Sequence, residues 1–117
     1  MRLATISEDG MPHIVPVWYL YRDKKFYVGT NTRTQKAGNI DRLGRAALCI
    51  DEGVNSPIYG VMARCKASLI RGDKVRDIAE GIISRYLDIH DKSAVELLQD
   101  TDCIIELVPE NITVWKY

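Results

Sequence analysis

The stretch from Phe26 to Leu43, FYVGTNTRTQKAGNIDRL, constrains the fold most, because its side-chain period changes from two to about 3.6 across one short turn. Phe26, Val28 and Thr30 alternate with Tyr27 and Gly29, the period of a strand whose two faces meet different surroundings. Thr30, Asn31, Thr32 and Thr34 follow, short polar side chains able to cap the backbone N–H groups exposed at a helix start. Gln35-Lys36-Ala37 then opens a helical pattern that Ile40 and Leu43 continue, and Gly44 stands where a C′ residue would end it. A helix N-terminus offers unpaired donors and a partial positive charge. Lys36 in that first turn, beside several hydroxyls, therefore predicts an anion site sized for one phosphate. The same residues also fit plain helix capping, and Gly29 and Gly38 match neither a P-loop nor a dinucleotide-binding fingerprint.

At 117 residues the chain is expected to form one domain over 1–117, large enough for a core and small enough to gain from a partner. Sixteen basic residues balance sixteen acidic ones, which argues against nucleic acid as the partner, since phosphate contacts call for a basic excess. Cys49, Cys65 and Cys103 are odd in number, far apart and set among apolar residues, so they read as reduced core thiols of a cytoplasmic protein. No Cys/His spacing suggests a metal, and no apolar run approaches the roughly 18 residues of a membrane span. A chain that opens within a strand either begins abruptly or follows an upstream helix outside this sequence.

Along the chain, Arg2 to Ser7 reads as a strand and Glu8-Asp9-Gly10 as a hairpin turn. His13 to Tyr21 is almost wholly apolar or aromatic, which predicts one strand covered on both faces. Pro16 in its middle removes a ladder donor, so it belongs at an edge, at a bulge or where a flat ligand replaces a neighbouring strand. Arg22 to Lys25 is a charged hairpin tip. Arg45 to Asp51 is a further strand, and Ile58 to Arg71 a long one that Gly60 would bend, with Met62, Arg64, Lys66 and Ser68 on one face. Val75, Ile78, Ala79, Ile82, Ile83, Tyr86 and Leu87 recur at helical spacing after Gly72-Asp73, a packing stripe with no assigned chemistry. Ser93 and Glu96 form a capping-box pattern before Leu97 and Leu98, which are expected to be buried. Cys103 to Val108 and Ile112 to Lys116 read as two strands joined by Pro109-Glu110-Asn111. The terminal Trp115-Lys116-Tyr117 covers a neighbouring subunit, a ligand or its own barrel. About seven strands, one main helix and two short helices give an α+β protein, most simply a small antiparallel barrel.

The order of these motifs carries a resemblance. Thr5 to Tyr19 (TISEDGMPHIVPVWY), Phe26 to Thr30, Gln35 to Ile40, Tyr59 to Ala67 and Val114-Trp115 together resemble the FMN-binding split-barrel family related to pyridoxamine 5′-phosphate oxidase, over nearly the whole chain. The resemblance implies a split β-barrel homodimer with the cofactor at the subunit interface. Its flavin ring would lie along Val15, Pro16, Val17 and Trp18, with Trp18 either stacking near the ring or filling the core. The phosphate would be held by Thr30, Asn31, Thr34, Gln35 and Lys36. Three departures stand out. Thr34-Gln35-Lys36 keeps the hydroxyl and lysine of the oxidase's turn but not its arginine, for which Arg33, Arg64 or Lys66 would have to compensate. Gly60 lies where the oxidase has a flavin-contacting glutamine. Trp115 is not followed by the Arg-x-His-x-Arg-type segment that grips pyridoxal phosphate, which argues against that substrate. What is implied is an oxidoreductase moving a hydride between FMN and an unidentified small molecule. The deazaflavin coenzyme is a second candidate cofactor, whose longer acidic tail Arg33 and Arg64 would answer. A flavin carrier or sensor without turnover fits the same residues. An oligonucleotide-binding barrel would stack bases on Trp18, Tyr19 and Tyr21, but zero net charge opposes it. Neither His13 nor His90 has an evident partner as a general acid.

Overall fold

The alternating segments become seven strands in the computed structural model, which describes residues 1–117. In chain order the elements are β1 (Arg2–Ile6), β2 (Pro12–Pro16), β3 (Leu20–Arg22), β4 (Lys25–Thr30), α1 (Gln35–Leu43), β5 (Arg45–Glu52), β6 (Tyr59–Ile70), α2 (Lys74–Ile83), α3 (Lys92–Asp100) and β7 (Cys103–Lys116). All neighbouring strands are antiparallel, in the order β2-β1-β5-β6-β7-β4-β3.

That order forces closure. The two edge strands, β2 and β3, are consecutive in sequence and joined only by residues 17–19. Such a link spans at most about 14 Å, whereas seven strands laid flat would set the edges about 29 Å apart. The sheet therefore rolls into a barrel with a seam between β2 and β3. This corrects the single strand expected over His13 to Tyr21: the chain leaves the ladder after Pro16 and crosses the seam before β3. Being an edge strand, β2 tolerates Pro16, and it is not covered on both faces, since Ile14 is 66% exposed. The β3–β4 tip is a two-residue turn with Asp23 and Lys24 both at positive φ (55° and 63°), as hairpin twist requires.

Leu3, Val28, Leu48, Ala63, Cys65, Ile105 and Leu107 fill the barrel, and Ile40 of α1 joins them. A second core lies where Val75, Ile78, Ala79 and Ile82 of α2 pack on Tyr27 of β4 and Ile104 of β7. Burial raises the thiols of Cys65 and Cys103 to about 11, so both sit neutral in apolar surroundings. No helix is long and apolar enough to cross a membrane.

Several expectations change. β7 is one strand of 14 residues: Arg64 pairs with Asn111 and Cys65 with Pro109, leaving Glu110 as the extra residue of a bulge. Pro109 fits there because the ladder is interrupted. Helix α2 ends at Ile83, before Tyr86 and Leu87. The N-cap of α3 is Asp91 and not Ser93; only Ala94 is fully buried, while Leu97 is 41% exposed. Gly60 makes room for Trp115, its partner across the ladder.

Candidate functional site

The turn after β4 forms as its composition predicts. The hydroxyl oxygen of Thr34 accepts the amide of Ala37 (3.4 Å), its own hydroxyl donates to the carbonyl of Asn31 (2.9 Å), and Thr30 Oγ1 lies 3.0 Å from it. With the Thr34 proton given to Asn31, the Thr30 hydroxyl is the donor of that last pair. Both hydroxyls are therefore engaged in the cap. The amides of Gln35 and Lys36 have no acceptor in the chain, which leaves them as the open donors of the first turn. The Gly44 amide closes the far end on Ile40 (2.7 Å) with φ at 71°, a left-handed conformation that suits glycine.

At the barrel seam lies a cavity of about 630 Å³. Pro16, Val17 and Trp18 form one wall, Gly29 and Lys36 another, and Ala79, Ile82, Ile83, Leu97 and Thr101 close it from α2 and α3. Arg2 stands at its edge, paired with Asp51 at 2.8 Å. Lys36 has no carboxylate partner. Burial lowers its pKa below the ordinary lysine range, with Cys103 acting in the opposite sense. An anion placed against this ammonium would offset the cost of its desolvation.

Of the residues proposed from sequence, Pro16, Val17, Trp18 and Lys36 thus meet in one cavity, with Thr30 and Thr34 in the turn beside it. The others lie elsewhere. Val15 is half-buried in the β1–β2 ladder opposite Leu3. Asn31 donates to Asp100 (3.3 Å) and accepts from the Arg33 amide. The side-chain amide of Gln35 turns away and donates to the Ser7 hydroxyl (2.8 Å), into a polar recess between the β1–β2 turn and α1 that also holds His13 and Arg42. Arg64 is exposed on β6 between Ala47 and Asn111, and Trp115 covers Gly60; neither lines the cavity. Trp18 neither fills the core nor stands free. Its ring stacks on Tyr86, with centroids 4.5 Å apart and planes at 7°. Arg85 lies over Tyr19 (4.4 Å) and donates to its carbonyl, so the turn after α2 clamps the seam crossing. Sequence reasoning left out α2, whose Ala79, Ile82 and Ile83 form a wall; their apolar spacing was read as packing, and nothing local marks a packing residue as a cavity wall.

Barrel and cavity define the class, a split barrel with an apolar wall on the seam and Lys36 among the residues that line it. Over residues 1–116 the chain matches the family described as pyridoxamine 5′-phosphate oxidase, and it belongs to that family. No curated protein matches it. Among solved structures it is similar to a conserved hypothetical protein from Mycobacterium tuberculosis (22% identity, TM-score 0.85, covering 98% of this chain and 75% of that one). It is also similar to an F420 reductase (20%, 0.76, 96% and 86%) and to HutZ, the heme storage protein from Vibrio cholerae (17%, 0.74, 98% and 83%). At such identities the likeness is one of fold, and this fold hosts more than one ligand chemistry.

Proposed function

We propose that this chain binds FMN in the seam cavity and acts as an oxidoreductase on a small molecule, as a dimer whose interface borders that site. The observation that carries the reading is Lys36: a partly desolvated ammonium with no carboxylate partner, lining a cavity that Pro16, Val17 and Trp18 also wall. Lys36 would neutralise the phosphate, and the open amides of Gln35 and Lys36 would donate to it without disturbing the Thr30–Thr34 cap. Pro16 suits a wall that a flat ring faces, because its backbone presents no unmet donor. Ile82 and Ile83 from α2 would keep water from the ring's face. When bound, the flavin itself supplies the hydride or electron chemistry.

The test is a fluorescence-quenching titration with FMN. The expected result is micromolar or tighter binding, weakened at least tenfold by Lys36→Ala. A colourless protein that binds no FMN, or a variant with unchanged affinity, overturns the reading.

One observation favours a second reading, a flavin carrier or sensor. The cavity wall holds no histidine, carboxylate, thiol or phenol to move a proton. Stopped-flow mixing with NADH and NADPH separates the two, since a bound flavin that neither donor reduces supports carriage or sensing.

A further inference from the structure

We propose that Tyr86 is a positioning residue of the seam site: its ring backs the Trp18 indole from outside the cavity and holds it as a fixed surface for a flat ligand. This deepens the flavin reading above and rests on it. Trp18 lines the cavity and Tyr86 does not, yet the two rings are stacked, with centroids 4.5 Å apart and planes at 7°. One face of the indole is therefore taken by Tyr86, and the cavity meets what remains of it.

The need for such a support follows from where Trp18 sits. Residues 17–19 belong to no strand, so no ladder fixes their side chains, and the indole is exposed. A loose side chain on a crossing loop gives up rotamer freedom whenever a ligand settles on it, and that loss weakens binding. Tyr86 removes the freedom beforehand, because it is itself anchored. Its hydroxyl accepts the Tyr19 amide (3.2 Å) and the Arg85 guanidinium (3.3 Å), and Arg85 also donates to the Tyr19 carbonyl while lying over the Tyr19 ring (4.4 Å). On the other side, the amides of Arg85 and Tyr86 donate to the carbonyls of Ile82 and Ile83 (3.2 and 3.0 Å), two residues of α2 that wall the cavity. Tyr86 thus ties the α2 wall to the seam wall. The sequence placed it in the packing stripe of α2, but the helix ends at Ile83, and the ring turns to the seam instead.

The experiment is a double-mutant cycle. FMN dissociation constants are measured by fluorescence for the wild type, Trp18→Ala, Tyr86→Leu, Tyr86→Phe and Trp18→Ala/Tyr86→Leu, and the near-ultraviolet circular dichroism of each is recorded without ligand. Tyr86→Leu keeps apolar bulk but no flat face, and should weaken FMN binding about fivefold, the scale of one aromatic stack. Tyr86→Phe keeps the face and should recover most of that loss. Once Trp18 is alanine, Tyr86→Leu should cost less than about twofold, because the residue it acts through is gone. Without ligand, Tyr86→Leu and Trp18→Ala should both lose the near-ultraviolet signal of the stacked pair. Neither ring belongs to the barrel core or the α2 core, so the variants keep both. Equal losses with and without Trp18 would make Tyr86 a general support of the fold and overturn the proposal. A Phe variant as weak as the Leu variant, or a Leu variant as tight as wild type, also overturns it. Trp18→Ala leaves the turn after α2 untouched, and unchanged affinity there overturns it as well. A near-ultraviolet spectrum unaltered by Tyr86→Leu does so with no ligand at all. Each of these results leaves the flavin reading intact, whereas a wild-type protein that binds no FMN overturns that reading and this proposal with it.

Discussion

A β-carbon on Gly60 would stand 2.1 Å from Cζ2 of Trp115 and 2.2 Å from its Cε2, so the indole lies against the bare backbone of β6. Gly60→Ala must push the ring off its seat, and it is expected to destabilise the protein by about 1–3 kcal/mol in urea denaturation, the usual range for overpacking. Gly60→Ala/Trp115→Ala should lose clearly less than the two single losses combined, because the clash is gone. Both residues stood out in the sequence, but the register that places one on the other did not. Lys36 shows the complementary case. Its type and its place after a hydroxyl-rich turn are local facts, readable along the chain, whereas the absence of a carboxylate near it depends on where Asp51, Asp100 and Asp102 fall in space.

Helix α1 was legible from Gln35 to Leu43 with its Gly44 cap, because capping chemistry acts within a few residues of itself, and of the four short polar residues offered as N-caps the structure uses Thr34. Thr34→Ala removes the acceptor for the Ala37 amide and is expected to cost about 1 kcal/mol. Thr34→Ser, read in the same thermal or urea melts, should recover most of it. The elements that differed are those whose character is set from outside. β7 runs through Pro109 because β6 accommodates a bulge opposite Arg64 and Cys65. The strand expected over His13 to Tyr21 breaks at Val17 because its two ends belong to opposite sheet edges. α3 buries little beyond Ala94, since it leans on α2 and not on the barrel.

At the scale of the whole molecule, α2 covers the outside of β4 and β7, while the outer face of β2, β1, β5 and β6 has no helix over it. On that open face Ile14 is 66% exposed, Met62 40% and Ile6 38%, apolar side chains held in register beside Ala4, Ala47 and Cys49. Such a patch fits a second copy of the chain, as the dimer proposed above requires. In sedimentation at micromolar concentration the protein should run as a dimer. Ile14→Lys, which replaces the most exposed apolar side chain named in the patch with a charge, should weaken dimerisation at least tenfold; a monomeric wild-type protein ends that part of the proposal. By itself the sequence determined the period of each strand and helix, the capped turn and the lysine in it, because these rest on contacts between near neighbours in the chain. Only the tertiary structure decided that the sheet closes at Val17–Tyr19, that α2 walls the cavity, and that Lys36 lines it with no carboxylate partner. Each of those depends on pairs of residues far apart in sequence, whose meeting is set by strand order and register.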